Sequence, residues 1–465
     1  MTLGFYPATI PVDGVSHWTQ AVGYLGWGIQ DNTSGAFTIL LRICYKICSS
    51  PYGFILLILF LFSFIMARIL TYFFVKGVPT CVVYCISAII AILPNNYTTL
   101  LTIKTNSLYT ILCIWVTYLL MKLLDNSEKI SRNVGFIIEM SIVLPCLYVC
   151  RHNSFLTVFG TCVILISMCI KYAMQYKKMN LYIVIPVVAT LFIVKIIKGP
   201  IYTHFDVIRN APQASGVAYP MISPLAVAYN NNVELTEDTL EYMNRIRPLE
   251  YWSNHNRYHG DTFTWSEPLP QYKQINGNSE KFKYYFKLLF SRPDIVIKDR
   301  LDGIESLWNV FGSKGQKAYN ARFFFGINTN MPKDLVTGNG WNWNITTVEG
   351  NRVYFHETAF TRIPYAICML FAKNVTLDAF VWRTGFSIIL VLYAFHYTYV
   401  IGNKKKMVAV IPMLGTLITL VLAISWQLYQ YFWVVHIINW ILILYFILPG
   451  DDTIGQEEKL TMHIF

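Results

Sequence analysis

Charged residues are scarce in this sequence. They make up 14% of the 465 residues, and 55% of the chain is hydrophobic, whereas soluble domains carry about a quarter charged residues. This scarcity argues against a soluble protein and predicts an α-helical polytopic membrane protein. The net charge of +11 does not predict a nucleic-acid partner, because much of the excess lies in short loops, where cations set membrane topology.

Several features of other protein classes are also missing. None of the ten cysteines lies in the long polar stretch from Pro200 to Arg362, which argues against a disulfide framework. The sequence has no P-loop, no dinucleotide fingerprint, no HExxH and no Cys/His zinc spacing. No cofactor is therefore predicted, and a divalent metal stays open. No cleavable signal peptide is visible, because the first apolar run starts late and lacks a basic region before it.

Nine apolar segments predict membrane-spanning helices of about 20 residues each. They cover residues 52–75, 79–94, 107–122, 134–150, 154–171, 181–199, 382–401, 407–425 and 430–448. The predicted parts of the chain are a first outer loop with an interfacial helix (1–51), six spans (52–199), a mixed α/β extracytoplasmic domain (200–362), an interfacial helix with three spans (363–449) and a cytoplasmic tail (450–465).

The cations between the spans predict the orientation of the protein. They cluster in every second loop, and the positive-inside rule places those loops in the cytoplasm. They are Lys76; Lys122, Lys129 and Arg132; Lys171, Lys177 and Lys178; and Lys404, Lys405 and Lys406. The N-terminus and the 200–362 domain then lie on the extracytoplasmic side.

The polar domain shows helical signals. Thr236 can cap a helix over Glu234–Pro248, with acids in its first turn and arginines in its last. Further helices are predicted over Asn278–Phe290 and Asp294–Phe311, and the tryptophan-rich run around Trp341 predicts a loop or hairpin.

The first outer loop holds the main candidate for chemistry. Asp13 lies among Pro7, Pro11 and Gly14, which favour turns over helix. Such a carboxylate just outside the membrane can act as a general base for a hydroxyl acceptor. The alternative is a helix N-cap or a solvated loop acid. A second acid, Asp31, lies in the next loop.

Basic residues near the outer ends of the spans are candidates for binding a phosphate. Lys104 can do so as a point charge, or it can be an interfacial lysine whose ammonium reaches water. Arg151 can bind a lipid phosphate with His152 and Asn153 orienting it, or the three can form a tight polar turn. Glu139 lies inside an apparent span, where an acid is costly and suggests function.

The start of the chain resembles the first outer loop of a bacterial subfamily in the C-type superfamily of membrane glycosyltransferases. In the stretch YPATIPVDGVSHWTQA, Asp13 stands where the family carries its acid. Trp18 and Gln20 fit the helix that follows, and His17 replaces a glutamine. The family next carries Asp-Trp-His-Pro, of which this chain keeps only the acid, Asp31.

Further motifs resemble the family in order along the chain. Its Arg-His-Asn motif matches Arg151, His152 and Asn153, and its Lys-Asp is Lys104-Thr105 here. The stretches ISPLAVAYNNNVELTEDTLEYMNRIRPLEYW and LYQYFWVVHIINW resemble the start of its outer domain and its last span. The family has a helix before the first outer loop, so the resemblance implies that this helix is missing here.

The resemblance implies an enzyme of the bacterial inner membrane. Its donor would be a polyprenyl-phosphate-linked sugar, and its acceptor a glycan or a lipid-linked acceptor, such as O-antigen, outside the cytoplasm. Asp13 would be the general base, assisted by Asp31. Lys104 and Arg151 would hold the carrier phosphate, with His152, Asn153, His17 and Gln20 also in the substrate site.

Two other functions remain open from the sequence. An O-antigen polymerase or ligase would use similar lipid substrates and would depend on arginines of the outer domain rather than on Asp13. A transporter, flippase or inactive relative would not depend on Asp13 either. Transporters usually contain internal repeats and matching broken helices, and the sequence shows neither.

Overall fold

The computed structural model describes residues 12–23, 28–31, 34–126, 133–177, 181–209, 219–255, 279–311, 374–424 and 429–448, with isolated positions in 268–275 and 363–371. Within these ranges the chain is helical, and the only strand-like pairing is an isolated bridge between Gln30 and Ile208. The described α-helices of four or more residues are α1 Val12–Val22, α2 Gly35–Ile47, α3 Tyr52–Val75, α4 Thr80–Ile92, α5 Pro94–Leu100, α6 Thr105–Asp125, α7 Val134–Cys150, α8 Phe155–Tyr176, α9 Ile185–Ile196, α10 Tyr219–Asn230, α11 Glu237–Ile246, α12 Glu280–Ser291, α13 Pro293–Gly303, α14 Glu305–Trp308, α15 Val375–Val381, α16 Gly385–Val400, α17 Ile411–Ala423 and α18 Tyr429–Ile447.

The described helices confirm an α-helical membrane protein. Five are long and apolar enough to cross a membrane, and there are up to seven such spans if each of two bent helix pairs counts as one. The shorter apolar helices Val134–Cys150 and Tyr431–Ile447 occupy two more of the predicted spans. The nine predicted segments therefore all contain apolar helix, although not every one is a continuous span.

Two broken helices correct the prediction that the chain lacks a matching pair. Helices α4 and α5 are bent by 57° at Leu93, and α15 and α16 are bent by 56° across residues 382–384. The first bend comes directly before Pro94, whose ring restricts the preceding residue to extended conformations. The helix in the segment 79–94 therefore ends at Ile92, and α15 overlaps the stretch predicted to hold an interfacial helix before the last spans.

Helix α6 lies at the centre of the bundle. Its apolar window is 89% buried, against 39% for α3 and 17% for the span Leu181–His204. It packs against α3, α7 and α18. An apolar helix that is buried all round belongs to the interior of a bundle. Helix α6 therefore runs through the middle of the bundle, and its two ends mark the two ends of the bundle.

The bundle has two chemically different ends. At one end, which we call the Arg151 end, Arg151 lies beside Tyr109 near the start of α6 and beside Tyr431 near the start of α18. At the other, the Asp125 end, Lys76 pairs with Asp125 at 2.9 Å.

Two more contacts define the Asp125 end. The Tyr445 hydroxyl donates to Asp125, and Lys406 donates to the Tyr445 carbonyl oxygen. Lysines from two of the predicted cytoplasmic loops therefore share one end of the bundle.

The described part of the polar domain is helical, so the predicted mixed α/β domain is wrong there. Helices α10, α11, α12 and α13 enclose a core that includes Leu225, Tyr242, Met243 and Leu288. On α11 the buried residues Thr239, Tyr242, Met243 and Ile246 recur at helical spacing, not at the period of two that a strand requires. The region around Trp341 lies outside the described residues.

The first two helices pack against each other at the start of the bundle. Helix α1 already includes Asp13 and Gly14, so the helix begins earlier than the turn-favouring residues predict. The ring of His17 packs edge-on against Phe37 at 4.9 Å, and Trp18 packs against Tyr45 at 5.6 Å. Burial of these rings between α1 and α2 outweighs the local turn preference.

Candidate functional site at the Arg151 end

Asp31 lies at the centre of a polar cluster between α1 and α2. Its Oδ1 accepts hydrogen bonds from the Gly35 amide at 2.9 Å and from the Tyr202 hydroxyl at 2.8 Å. Lys198 Nζ is 3.8 Å from Oδ2, and the Asp31 side chain is 11% exposed. The two donors and the nearby cation hold this carboxylate in one orientation.

The start of α2 explains why Asp31 takes this position. Ser34 caps the helix: its Oγ accepts from the Phe37 amide at 3.1 Å and donates to the Val149 carbonyl at 2.9 Å. Asp31 accepts the Gly35 amide, so the two side chains together satisfy two of the free amides that every helix start presents. A Cβ on Gly35 would come within 2.9 Å of Val207, so this close approach requires glycine.

His152 joins the cluster from the turn between α7 and α8. Its Nε2 is 2.6 Å from the Asp31 carbonyl oxygen and 3.9 Å from Asp31 Oδ1. A carbonyl oxygen only accepts, so Nε2 carries the proton in this contact. In the neutral ring Nδ1 is then the basic nitrogen, and the side chain is 43% exposed. His152 therefore links the turn after α7 to the loop that holds Asp31.

Arg151 lies between two aromatic rings. Its guanidinium carbon is 5.3 Å from the ring centre of Tyr109 and 5.1 Å from that of Tyr431. The Tyr109 hydroxyl is in turn 2.9 Å from the Thr416 hydroxyl. Among the residues the structure describes, no carboxylate lies within ion-pair distance of Arg151. The aromatic rings orient the planar cation while leaving its N–H groups available for an anion.

Lys104 precedes the start of α6, which contacts the end of α7 just before Arg151. It directly precedes Thr105, whose carbonyl oxygen is 3.8 Å from the Sγ of Cys150, the neighbour of Arg151. Lys104 is only 6% exposed, which does not fit an interfacial lysine whose ammonium reaches water. The two residues predicted to bind phosphate therefore flank helix ends that contact each other.

The other predicted site residues have different surroundings. His17 Nδ1 is 2.7 Å from the Thr38 hydroxyl, and Gln20 accepts the Gln30 amide at 3.0 Å. Both are 2% exposed, so these two side chains join α1 to its neighbours. Asn153 lies in the 3-10 turn after Arg151. Asp13 is in the first turn of α1, and its side chain lies outside the described part of the structure.

Sequence reasoning missed several partners in this site. Tyr202 had no signal, since it is one of 31 tyrosines and lies far along the chain from Asp31. Tyr109 lies in a span where nothing distinguished it. Lys198 was visible as a cation at the end of a span, but its position in the sequence did not indicate that it lies near Asp31.

The described residues provide no metal centre. No group of three or more His, Cys, Asp or Glu side chains within them could hold a metal ion. Asp31 Oδ1 accepts two hydrogen bonds and Oδ2 lies near the Lys198 ammonium, which would repel a metal cation at this carboxylate. The divalent metal that the sequence left open gains no support from this cluster.

A second polar region lies where the two broken helices meet. Asn95 at the start of α5 donates to the carbonyl of Val381, the last residue of α15, at 2.9 Å. Near the second bend, Asp378 and Arg383 form an ion pair at 3.1 Å with exposures of 1% and 0%. Asn96 accepts from the Trp433 indole at 2.9 Å. We call these residues the broken-helix junction.

No family model matches the chain, and neither the search of curated proteins nor that of solved structures finds a match.

Proposed function

We propose that the protein is a membrane glycosyltransferase that moves a sugar from a polyprenyl-phosphate carrier to a glycan or lipid-linked acceptor on the outer face of the bacterial inner membrane. The observation that carries the proposal is the contact between Asp31 and His152, directly beside Arg151. It joins the first loop to the loop between α7 and α8, the two stretches whose motifs resemble the glycosyltransferase family. O-antigen or another surface glycan is the acceptor class that the resemblance suggests.

The charges at the Arg151 end suit a lipid phosphate. Arg151, held between two rings, would bind the carrier phosphate together with Lys104 and stabilise the charge that grows on it as the sugar leaves. Asp31 is already bound by Tyr202 and Gly35, so its role would be to position His152 and Lys198. Asp13 remains the proposed general base for the acceptor hydroxyl.

The proposal is tested by mass spectrometry of surface glycans. Strains would carry the intact gene, a deletion, Asp13→Asn or Arg151→Gln. The control is Asp206→Asn at the same end of the bundle, because Asp206 has a positive φ of 51° that asparagine also tolerates. We expect one sugar mass to be lost in the first three altered strains and kept in the control.

Other outcomes separate the parts of this proposal. Loss of the sugar in the deletion but not in Asp13→Asn would remove Asp13 as the base. An unchanged glycan profile in the deletion strain would contradict transferase activity. Membrane levels of each variant, measured by immunoblot, show whether a loss reflects chemistry or failed insertion.

The orientation is a separate part of the proposal. A reporter fused after Trp343 is expected to give a periplasmic signal, because the loop cations at the Asp125 end would face the cytoplasm. A cytoplasmic signal would place the Arg151 end on the wrong side of the membrane for this reaction.

A lipid flippase or transporter is the second candidate, and the broken-helix junction favours it. Transporters form their substrate sites where broken helices meet inside the membrane, and Asn95 joins two such helices here. The purified protein would be reconstituted in vesicles with a fluorescent short-chain polyprenyl-phosphate sugar. Movement of the label between leaflets without sugar transfer favours the flippase, whereas transfer to an added acceptor favours the enzyme.

A further inference from the structure

A cavity of about 530 Å³ opens between α3 and α6 near the Asp125 end. Its walls carry three cations, Arg68, Lys76 and Lys122, together with the rings of Tyr72 and Tyr118. Lys122 is 17 residues after Thr105, the first residue of α6, which corresponds to about 25 Å along the helix. The cavity is therefore separate from the proposed sugar-transfer site at the Arg151 end.

Two of the three cations are neutralised by acids. Arg68 Nη1 is 2.8 Å from Glu139, and Lys76 Nζ is 2.9 Å from Asp125. For Lys122, in contrast, the described residues offer the ring of Tyr118 at 5.6 Å and no carboxylate within ion-pair distance. Counted over the described residues, the cavity and its acids therefore carry one uncompensated positive charge.

Aromatic rings hold the cations in place. The guanidinium carbon of Arg68 is 5.0 Å from the ring centre of Tyr118 and 5.4 Å from that of Phe64. Lys76 Nζ is 5.8 Å from the ring centre of Tyr72. Cations that are oriented in this way lose less freedom when an anion binds than cations on free side chains.

The surface next to the cavity suits an acyl chain. Along α3, Phe60 is 65% exposed and Val75 is 75% exposed, and Val75 also lines the cavity. An anionic headgroup in the cavity would thus continue directly into apolar surface. Basic pockets between membrane helices near the end that carries the loop cations are a known mode of binding lipid headgroups.

We propose that this cavity binds the phosphodiester of a membrane lipid whose headgroup carries a single negative charge and no cation, such as phosphatidylglycerol. One negative charge balances Lys122, while the ammonium of a zwitterionic headgroup would bring a second positive charge to a cavity that already carries an excess one. The phosphate contacts Lys122 and the N–H groups of Arg68, and the acyl chains lie along the exposed face of α3. The site is independent of the proposed glycosyl transfer.

The test measures thermal unfolding of the full-length protein in a non-ionic detergent. Short-chain phosphatidylglycerol, phosphatidylcholine of the same chain length, and inorganic phosphate are titrated in turn. The variants are Lys122→Gln and the matched control Lys171→Gln, an exposed lysine on α8 that does not line the cavity.

We expect phosphatidylglycerol alone to raise the melting temperature of the wild type and of Lys171→Gln. Lys122→Gln should need about five-fold more of this lipid for the same shift, the factor expected for one cation near an anionic lipid. An equal response of Lys122→Gln and wild type would overturn the site. An equal response to inorganic phosphate would assign the cavity to a free anion, and an equal response to phosphatidylcholine would remove the charge argument.

Discussion

The side-chain amide of Asn95 donates a hydrogen bond to the backbone carbonyl of Val381 across 2.9 Å, deep inside the bundle. Asn95 belongs to the second half of one broken helix, and Val381 ends the first half of the other. A helix end presents carbonyl groups without partners within the helix, and here a side chain from the other broken helix supplies one. The two bends are thus joined to each other.

The Asn95–Val381 contact predicts a loss of stability when the amide is removed. Asn95→Ala leaves the Val381 carbonyl buried without this donor, which should cost about 1–3 kcal/mol. The measurement is the unfolding free energy in mixed detergent micelles. Ser87→Ala is the control, because the Ser87 hydroxyl bonds only to the Val83 carbonyl of its own helix. Equal effects of the two variants would show that the contact does not join the helices.

The buried ion pair of Asp378 and Arg383 predicts an asymmetric response to substitution. Asp378→Asn leaves the charge of Arg383 in the core, where its exposure is 0%, and removal of one partner of a buried pair costs about 3–5 kcal/mol. The double variant Asp378→Leu/Arg383→Met removes both charges and should recover most of that loss. A double variant as unstable as Asp378→Asn would argue that the pair contributes through shape rather than charge.

Two glycines in the contact between α8 and α17 should differ in how well they tolerate substitution by alanine. A Cβ on Gly415 would lie 2.7 Å from the Thr157 backbone nitrogen, whereas a Cβ on Gly160 would lie 2.7 Å from the Cγ2 methyl of Ile411. Gly415→Ala should therefore push the helices apart and lower the melting temperature by several degrees, about 1–3 kcal/mol of overpacking. Gly160→Ala should have a smaller effect, because a methyl group of one side chain can shift more easily than the backbone of a neighbouring helix. A larger effect at Gly160 would contradict this packing.

The contact between α11 and α12 should depend on pH through Asp238. Hydrogen bonds from the Thr236 hydroxyl and from Lys287 lower the pKa of Asp238 to about 2, against about 3.9 in an unfolded chain. A lowered pKa in the folded state means that the contribution to stability is present above about pH 4 and is lost as the pH falls toward 2.

Hydrogen exchange of the α12 amides measures this contribution. At pH 6, Asp238→Asn should exchange faster than wild type, and the difference should disappear near pH 2. High salt should reduce it, because the pair is exposed to solvent. A difference that persists at pH 2 would mean that Asp238 acts through its hydrogen-bonding shape and not through its charge.

Much of the local structure was predictable from the sequence. The apolar segments predicted the described membrane helices, and the spacing around Glu237–Ile246 predicted α11 with Thr236 at its start. Glu139 was visible as an acid inside a span, but its partner Arg68, on another helix, was not identified. Helical period and composition are properties of neighbouring residues, so they can be read from the chain alone.

The site depended on contacts that sequence spacing does not encode. The sequence proposed Asp31 and His152 separately, through the family resemblance, whereas the fold supplied Tyr202 and Lys198 as further partners of Asp31. The sequence also suggested that the chain lacks broken helices, and the structure contains two that meet at Asn95 and Val381. In this protein the sequence by itself determined the helices and the cationic loops, because local propensity and hydropathy decide them. Only the tertiary structure decided which polar groups share a site, because residues from different helices meet only once the helices pack.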